Sequence, residues 1–595
     1  MKIIGKIFDF IIWVLFGFIV FLFSILLYIK YLWPSADYEQ IISTIRDTQL
    51  RIIFNNMVYY DFIFGFLFFV IVFPFCYFCL DRKKVIGLGV IFGLLGAYIS
   101  GFIHYQIYSR MNTTLYEEEY VNPETVKYNF PKNKRNLLLI YMESFENGFD
   151  DVKNYEANLI PNLKKLQGEG EFSSEHYVLP GSNYSIAALV ASMCAIPLRY
   201  TNKRTIWDTM FFLDNTTCFP EVLKENGYQT VMLKAADITF TNADIFSLRH
   251  GYSEALGVDE IKKNFFKDNN NAYMGTFGGV SDRTLFEYAK VKISEFDEDR
   301  PFFLTLFSLD THMPGYYLDK KCEEVFGDLR DAYLCSDKGV YEFIEWFKST
   351  KYYDNTTVVI VGDHDLSYKL KGKAKAKHGV YNVFLNTAEN LKIDDNKIFS
   401  TYDLAPTILE AVGVDLKPRA FGLGRSLFSD EKTLIEKKGV LKFKLELMKK
   451  SMFYSNFEKI KKAEISKYKL YKIGDEIVEK EFLLYTNASG ELLNRVYIDK
   501  MNIELDGYKG GDLEVEMEFF AIVGFDNTLD IFVDNDKIYN YEMPKKKIQP
   551  LSYKFVIKKD RIKNNKFQLG FHNNAGTNSA VNIGVSIKSM KILEK

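Results

Sequence analysis

Long apolar runs alternate with short polar loops over the first hundred residues of the chain. Three runs contain no charged residue: Phe10 to Ile29, Phe62 to Leu80 and Val85 to Ile103. Each is long enough to cross about 30 Å of hydrocarbon as a helix. The pattern therefore predicts a membrane anchor of three transmembrane helices over residues 1–110. We expect the first helix to be retained, because no cleavage site for a signal peptidase follows it.

Basic residues in the short loops predict how this anchor is oriented. Lys2 and Lys6 precede the first run, and Arg82, Lys83 and Lys84 separate the second run from the third. Because Lys and Arg in short loops concentrate on the cytoplasmic side of a membrane, both sites are expected inside. Everything after about residue 105 is then expected outside the cytoplasm.

From about residue 135, short apolar runs alternate with segments of helical spacing, which is typical of a mainly parallel α/β sheet. The predicted strands are Asn136 to Met142, Pro301 to Phe307 and Thr357 to Val361. The predicted helices are Ile160 to Leu166, Ile186 to Met193 and Val340 to Phe347. Ligands of such sheets bind beyond the carboxyl ends of the strands, so the residues that follow each strand are the candidates for chemistry.

Possible metal ligands follow all three predicted strands. Glu143 comes directly after the first strand, His312 follows the second, and Asp363 and His364 follow the third. Oxygen and nitrogen ligands of this kind suit Zn²⁺ or Mn²⁺. Each residue alone is a weak signal, because an acidic residue after a strand is often only a helix cap. Their coincidence at strand ends, in a chain with 7 His, predicts a shared metal site.

A candidate nucleophile lies in the segment from Leu179 to Ser192. Ser182 follows Gly181 near the predicted start of a helix. A hydroxyl at a helix N-terminus feels the positive end of the helix dipole, and a nearby metal ion would lower its pKa. The alternative is that Ser182 only caps the helix.

Cysteine placement agrees with an oxidising environment for the part beyond the anchor. Four cysteines lie there: Cys194, Cys218, Cys322 and Cys335. We predict the pairs Cys194–Cys218 and Cys322–Cys335, because the members of each pair are close in sequence, although sequence alone allows three pairings. Buried free thiols are the alternative.

The pattern changes again after residue 430. Residues 431–469 are rich in Lys with interspersed Leu, Phe and Met, and this connector is interpreted either as lying along an anionic membrane surface or as a solvated helix. Short alternating strands then recur: Asn502 to Leu505, Leu513 to Phe519, Leu529 to Val533, Tyr553 to Ile557, Phe567 to Phe571 and Val581 to Ile587. They predict an antiparallel β-sandwich over residues 470–595, with a glycan-binding, structural or oligomerising role.

Composition agrees with a membrane part joined to polar domains. The chain has 595 residues, of which 48% are hydrophobic and 16% aromatic, so two or more folded units are expected. Lys and Arg number 75 against 77 Asp and Glu, a net charge of −2. This balance gives no electrostatic reason to expect a nucleic-acid partner.

Together, the ordered motifs resemble the alkaline-phosphatase/sulfatase superfamily, and within it the membrane-anchored phosphoglycerol transferases, including lipoteichoic acid synthase. Ser182 to Leu189 follows the spacing of the sulfatase nucleophile motif. Met142 to Phe145 and Gly362 to His364 look like two metal-ligand motifs of the lipoteichoic acid synthases. Thr401 to Gly413 resembles the late strand and helix of the superfamily. The resemblance implies a sulfatase-like catalytic domain over residues 135–430, preceded by a linker over 111–134.

Carried over by position, the resemblance implies one divalent cation, Mn²⁺, Zn²⁺ or Mg²⁺. Glu143, Asp363 and His364 would bind it, with the Ser182 oxygen as a further ligand and as the catalytic nucleophile. Transferases of this type more often use Thr at the nucleophile position. Ser provides the same hydroxyl chemistry, so this departure affects the subfamily more than the mechanism.

The same resemblance implies four residues that contact the substrate. His312 matches a histidine at the transferred group or the leaving group, and His378 matches a histidine of the related phosphoethanolamine transferases. Both are candidates for proton transfer. Phe240 and Asn242 lie where the family lines its head-group pocket.

The implied activity is a two-step phosphotransferase reaction. The head group of phosphatidylglycerol would pass to an envelope or surface glycan through a phosphoglyceryl-serine intermediate. The enzyme would be a multi-pass protein of the bacterial cytoplasmic membrane, with its catalytic domain on the periplasmic or extracellular side. Its partners would be a phospholipid donor, a glycan acceptor and the membrane.

Two alternatives stay open at this level. A phosphoethanolamine transferase, which would use phosphatidylethanolamine, is favoured by Lys377-His-Gly379 and the predicted disulfides, but the chain lacks the Ser-Val-Pro-Cys run associated with that group. A non-catalytic glycan-binding protein of the same fold is the other. The complete set of predicted ligands argues against it, because a decayed site is expected to lose at least one of them.

Overall fold

A computed structural model describes the chain in segments. The described residues are 2–32, 38, 71, 81–199, 213, 215–265, 276–313, 315–366, 370, 379–388, 391–457, 464–465, 470–472, 476–478, 485–486, 500–506, 508–521, 528–534, 536–542, 549–564, 567–574 and 585–594. The chain divides into two compact units. The first comprises Met1–Trp207 and Thr216–Phe457, and the second comprises Asp208–Asn215 and Glu458–Lys595.

The first unit begins with the helices Lys2–Leu32, Arg82–Ile99 and Phe102–Tyr108. Within the described ranges, none of the helices alone combines the length and apolarity that a membrane crossing requires. The pair Lys83–Ile99 and Phe102–Tyr108, bent by 65° at the break between them, meets that requirement jointly. The predicted span Phe62 to Leu80 lies outside the described residues except for Ile71, so the three-helix anchor stays a prediction.

A six-stranded sheet forms the centre of the first unit. Its strands are β1 (Asn136–Met142), β2 (Gln229–Lys234), β3 (Glu254–Leu256), β4 (Phe302–Phe307), β5 (Thr356–Gly362) and β6 (Asn382–Leu385). Their spatial order is β3-β2-β4-β1-β5-β6. All neighbouring pairs are parallel except β5 and β6. The predicted α/β class is therefore confirmed.

Three central strands, β1, β4 and β5, are buried along their whole length, which their unbroken apolar or small-residue sequences require. Helices connect and cover the strands. The helices after the N-terminal three are Leu115–Glu119, Val152–Tyr155, Pro161–Gln167, Ser185–Cys194, Phe219–Glu225, Ala243–Arg249, Val258–Phe265, Asp282–Glu295, Leu329–Lys348, Leu404–Ala411, Leu434–Lys438 and Val440–Met448. Two-stranded pairs complete the unit: Lys127–Asn129 with Asp415–Lys417, His176–Tyr177 with Phe399–Ser400, and Ala420–Phe421 with Gly424–Arg425.

Both predicted disulfides are confirmed. Cys194 is bonded to Cys218, and Cys322 to Cys335. The first bond joins the last residue of the helix Ser185–Cys194 to the residue that caps the helix Phe219–Glu225.

The second unit consists of β-strands. A five-stranded sheet has the order Leu470–Lys472, Lys500–Asp506, Phe567–Asn574, Thr528–Val533 and Asp536–Glu542, and a four-stranded sheet has the order Glu476–Val478, Val585–Glu594, Leu513–Ala521 and Gln549–Ile557. The short strands Glu464–Ile465 and Tyr485–Thr486 form a separate pair. Leu505 and Leu569 of the larger sheet share one apolar cluster with Val515 and Phe555 of the smaller sheet. The β-sandwich and the boundaries at residues 430 and 470 stay predictions.

Two glycines of the first unit give a matched test of its packing. A Cβ at Gly362, the last residue of β5, would lie 2.2 Å from the Phe145 carbonyl oxygen, whereas one at Gly339, inside the helix Leu329–Lys348, would have no neighbour nearer than 3.7 Å. We expect Gly362→Ala to destabilise the unit by about 1–3 kcal/mol or more, because the backbone must move apart. Gly339→Ala should stabilise it by about 0.5–1 kcal/mol. Thermal unfolding of both variants checks this, and an equal shift in both would contradict it.

Candidate functional site

Two carboxylates and one imidazole converge at the carboxyl ends of β1 and β5. Glu143 follows β1 directly, and Asp363 and His364 follow β5. All three side chains are buried, with 2%, 1% and 7% of their surface exposed. The Nε2 atom of His364 lies 3.3 Å from Asp363 Oδ2 and 3.6 Å from Glu143 Oε1. The structure therefore brings together three of the residues that the sequence predicted as metal ligands.

Backbone geometry fixes the direction of these side chains. The Ser144 N–H donates to Asp363 Oδ1 at 2.7 Å, and the His364 N–H donates to the same oxygen at 2.8 Å. Ser144 has a φ of 57°, in the left-handed region that a non-glycine residue rarely adopts. This turn lets the Ser144 N–H reach the end of the neighbouring strand.

The second oxygen of Asp363 is left without a hydrogen bond. Oδ2 is buried and has no hydrogen-bond partner among the described residues. A buried carboxylate oxygen without a partner is costly, and a cation bonded to it would remove that cost. The position of this atom, facing His364 Nε2, fits a metal ion held between the two strands.

The pKa values of Asp363 and His364 also indicate a site that attracts a cation. Burial raises the pKa of Asp363 to about 7, and the nearby Glu143 carboxylate adds to the increase. Burial alone would lower the pKa of His364, but the carboxylates of Asp363 and Glu143 outweigh it and raise that pKa to about 9. The group therefore holds negative charge that attracts a cation, whether a proton or a metal ion.

The His364 ring is oriented as metal-binding histidines usually are. Its Nδ1 lies 2.9 Å from the Asp365 carbonyl oxygen, which places the proton on Nδ1. Nε2 is then the nitrogen available to a metal ion, with the backbone carbonyl as the outer partner. Two carboxylates and an imidazole suit Zn²⁺ or Mn²⁺.

Ser182, which the resemblance placed as nucleophile and metal ligand, does not lie in this cluster. The side chain is fully buried. Its hydroxyl donates to the Leu179 carbonyl at 2.9 Å and accepts from the Leu179 N–H at 3.2 Å. The tight turn that begins at Leu179 directs the Ser182 side chain inward. The Ser182 hydroxyl therefore stabilises the loop.

Ser185, three residues later, occupies the place expected of Ser182. It is the first residue of the helix Ser185–Cys194, and its Oγ donates to Glu143 Oε2 at 3.3 Å. The side chain is partly exposed. The motif spacing favours the first serine of Ser182-Asn-Tyr-Ser185 and leaves Ser185 as the alternative, whereas Ser185 is the residue that begins the helix.

His312 lies near the metal-ligand cluster, whereas His378 lies outside the described residues. Burial lowers the pKa of His312 to about 4, and the positive charge of His364 contributes to the decrease. The two imidazole rings are therefore close enough to interact electrostatically. The Phe277 ring contacts His312 edge to face, with 5.0 Å between ring centroids, and is 52% exposed. Phe277 was not predicted; it lies in a short turn, Thr276–Gly278, that no sequence pattern marked.

Lys234 is a further residue that sequence reasoning missed. It ends β2, a strand that was not predicted because Gln229, Thr230 and Lys234 leave it without a continuous apolar run. Burial lowers the pKa of Lys234 to about 8 against the opposing effect of Glu143 and other carboxylates. Its ammonium group lies 5.6 Å from the centre of the Phe240 ring. Lys234 stands at the end of a strand, as Glu143 stands directly after one, so a prediction of β2 would also have indicated Lys234.

The two residues assigned to a head-group pocket lie in one short turn, Phe240–Asn242. Phe240 is 47% exposed beside Lys234, on the side of the sheet where the cluster lies. Asn242 has a φ of 54° and begins the helix Ala243–Arg249. Their role in substrate binding stays a prediction.

Comparison with known proteins agrees with this architecture. Residues 135–414 match the sulfatase family. A phosphoglycerol transferase I from Salmonella paratyphi B is 29% identical over 316 residues, covering 51% of this chain and 40% of the relative, and one from Citrobacter koseri is 29% identical over 313 residues with the same coverage. The chain thus aligns with less than half the length of these relatives.

Solved structures that the chain matches include a lipoteichoic acid synthase from Listeria monocytogenes and a phosphoglycerol transferase from Streptococcus pyogenes in complex with sn-glycerol-1-phosphate. The first is 20% identical and covers 51% of this chain and 78% of that chain, with a TM-score of 0.40. The second is 15% identical and covers 52% and 79%, with a TM-score of 0.34. The sulfatase match over residues 135–414 agrees with the superfamily that the sequence motifs predicted.

The metal site is tested by replacing the carboxylate that lacks a partner. Asp363→Asn should lower the affinity for a divalent cation by more than about 100-fold. It removes a predicted direct ligand, and changes to the outer partners of a ligand alone cost about 10–100-fold. Metal content of the purified protein, measured by mass spectrometry of the elements, checks this. Asp415→Asn, on an exposed edge strand, is the matched control. Equal metal content in both variants would contradict the site.

Proposed function

We propose that this protein is a metal-dependent phosphotransferase that moves the phosphoglycerol head group of phosphatidylglycerol to an envelope glycan. One observation carries the proposal: the Ser185 hydroxyl, at the first turn of a helix, lies 3.3 Å from a carboxylate oxygen of the cluster formed by Glu143, Asp363 and His364. A hydroxyl in this position has both features that activate a serine, a helix N-terminus and an adjacent cation site. The names of the relatives support the choice of reaction.

In the first step, the Ser185 Oγ attacks the phosphorus of the lipid phosphodiester. A bond forms between Oγ and phosphorus, and the bond from phosphorus to the diacylglycerol oxygen breaks. The serine proton ends on the diacylglycerol hydroxyl, so atoms and charge balance. A divalent cation held by Glu143, Asp363 and His364 would stabilise negative charge on the phosphoryl oxygens.

In the second step, a sugar hydroxyl attacks the phosphoglyceryl-serine and releases Ser185 with a proton. His312 is neutral near pH 7, because its pKa is lowered to about 4, and a neutral imidazole can accept the proton of the incoming hydroxyl. His378, in the same predicted role, is the other candidate. The exposed Phe277 ring beside His312 is suited to contact the acceptor.

Lys234 is suited to hold the phosphate in both steps. A partly buried ammonium group on the side of the cluster attracts an anionic phosphodiester and the charge that develops on its oxygens. The same charge disfavours the ammonium of phosphoethanolamine as the transferred group. This observation is the reason to prefer phosphoglycerol transfer to the phosphoethanolamine alternative.

We further propose that the catalytic domain over residues 135–430 follows a three-helix anchor and acts outside the cytoplasm of a bacterial cell. The basic loops and the two disulfides support this side of the membrane. The donor lipid then lies in the leaflet nearest to the domain.

The nucleophile is tested with three serine variants and labelled lipid. Ser185→Ala should lower the release of diacylglycerol from phosphatidylglycerol by at least about 1,000-fold, since loss of a nucleophile removes the covalent route. Ser185→Thr should retain activity, because the hydroxyl is kept. Ser182→Ala should retain turnover and lose about 1–3 kcal/mol of stability, because its buried loop hydrogen bonds are broken.

The outcome that contradicts this assignment is loss of turnover in Ser182→Ala with full turnover in Ser185→Ala. Activity of both alanine variants would mean that the acceptor attacks the lipid directly. Phosphatidylethanolamine, offered in parallel, separates the two head groups: faster cleavage of that lipid would favour the phosphoethanolamine alternative.

Lys234 is tested by removing its charge. Lys234→Gln should lower kcat/KM for phosphatidylglycerol by about 10²–10³-fold, the usual cost of losing one donor that stabilises a transition-state oxyanion. Lys290→Gln removes a lysine from the outer face of the helix Asp282–Glu295 and should leave kcat/KM unchanged. Equal activity of the two variants would exclude Lys234 from the reaction.

A further inference from the structure

We infer that the helix Val440–Met448 and the segment after it form a surface that binds anionic phospholipid head groups at the face of the bilayer. We call this surface the lysine edge and define it by Leu441, Lys442, Lys444, Lys450 and Met452. The inference concerns a second lipid contact and does not depend on the reaction catalysed at Ser185.

The helix is apolar on two opposite sides. Phe443 and Leu447, one turn apart, are buried on the inner side of the helix, within the first unit. Leu441 and Leu445 are also one turn apart but lie on the opposite side, and Leu441 is 70% exposed. A solvated helix needs only one apolar side. An outer apolar side next to lysines is the pattern of helices that lie in a membrane interface.

Charge on this segment has one dominant sign. Residues 432–450 contain seven lysines and two glutamates. The lysines nearer to the core are paired: Lys438 with Glu119 at 3.1 Å, and Lys449 with Glu446 at 2.6 Å. In the described part of the chain, Lys442, Lys444 and Lys450 have no carboxylate within 4.0 Å. These three ammonium groups are therefore available to an anionic surface.

The lysine edge is attached directly to the segment that leaves the predicted anchor. The Lys450 N–H donates to the Met111 carbonyl at 2.8 Å, and the Thr113 N–H donates to the Lys450 carbonyl at 3.0 Å. Thr113 also hydrogen-bonds to Glu446 at 2.5 Å. Met111 itself is 44% exposed and follows the helix Phe102–Tyr108, the second half of the bent apolar pair. A chain that leaves the bilayer there places the lysine edge at the head-group level.

The helix Val440–Met448 and the residues after it are hydrogen-bonded to the segment that follows the helix Ser185–Cys194. The Arg199 guanidinium donates to the carbonyls of Met448 and Lys449 at the C-terminal end of the helix. The Tyr454 hydroxyl donates to the Pro197 carbonyl at 2.6 Å. The helix Ser185–Cys194 ends three residues before Pro197. Contact of the lysine edge with lipid would therefore set the distance between Ser185 and the lipid head groups.

The occupant that best fits this surface is an anionic bilayer. Exposed Leu and Met side chains between lysines match a plane with phosphate groups outside and acyl chains beneath. An acidic protein partner would match the charges but would bind without lipid, and the experiment below separates the two cases.

The test uses the full chain with one labelled position. Leu441→Cys, in a Cys76→Ala/Cys79→Ala chain whose other four cysteines are in disulfides, takes a fluorophore whose emission depends on polarity. The protein is placed in nanodiscs of phosphatidylcholine alone or with phosphatidylglycerol added. We expect a blue shift and reduced acrylamide quenching only in the anionic discs, and reversal by added salt, which screens exposed charges.

Charge reversal gives the decisive comparison. Lys442→Glu/Lys444→Glu should lower the ratio of lipid-contacting to solvent-exposed label by roughly tenfold or more. The matched control, Lys127→Glu/Lys132→Glu, changes two exposed lysines at the opposite end of the sheet from the cluster and should have no effect. A shift that is equal in neutral and anionic discs, an absent shift, or one that survives Lys442→Glu/Lys444→Glu would overturn the inference. Labelling is read without turnover, so failure of the proposed reaction would leave this result unchanged.

Discussion

The parallel register of β1 with β5 is the constraint on which the site depends. Met142 is paired with Gly362, so the residues that follow, Glu143 and Asp363, leave the sheet side by side. Gly362 has no side chain, which lets the Phe145 carbonyl approach the end of β5 and lets the turn at Ser144 close over it. One residue of slip in this pairing would separate the two carboxylates.

Holding two carboxylates and an imidazole together in a buried site is unfavourable unless a cation compensates them. The protein meets part of this cost with backbone N–H groups, which saturate Asp363 Oδ1 and leave Oδ2 directed at His364 Nε2. The helix that begins at Ser185 adds its positive end on the same side. The strand register brings Glu143, Asp363 and His364 together, and these electrostatic contacts offset part of the cost of burying them.

The sequence alone predicts the residues at the strand ends better than it predicts which serine faces them. Buried strands have continuous apolar sequences, so β1, β4 and β5 were recognised and the ligands after them followed. The strand β2 is as long as β4 but contains Gln229, Thr230 and Lys234, so no continuous apolar run marks it or the lysine at its end. Ser182 and Ser185 both stand near a helix start, so the sequence does not decide between them. The turn that begins at Leu179 packs against Pro197, and this tertiary contact leaves the Ser185 hydroxyl facing Glu143.

Locating the covalent intermediate tests directly whether Ser185 is the nucleophile. The protein is incubated with phosphatidylglycerol without acceptor, quenched in acid and digested, and the peptides are mapped by mass spectrometry. We expect one glycerophosphoryl group on Ser185, and none after a chelator has removed divalent cations. A glycerophosphoryl group on Ser182, or diacylglycerol release with no modified residue at all, would contradict it.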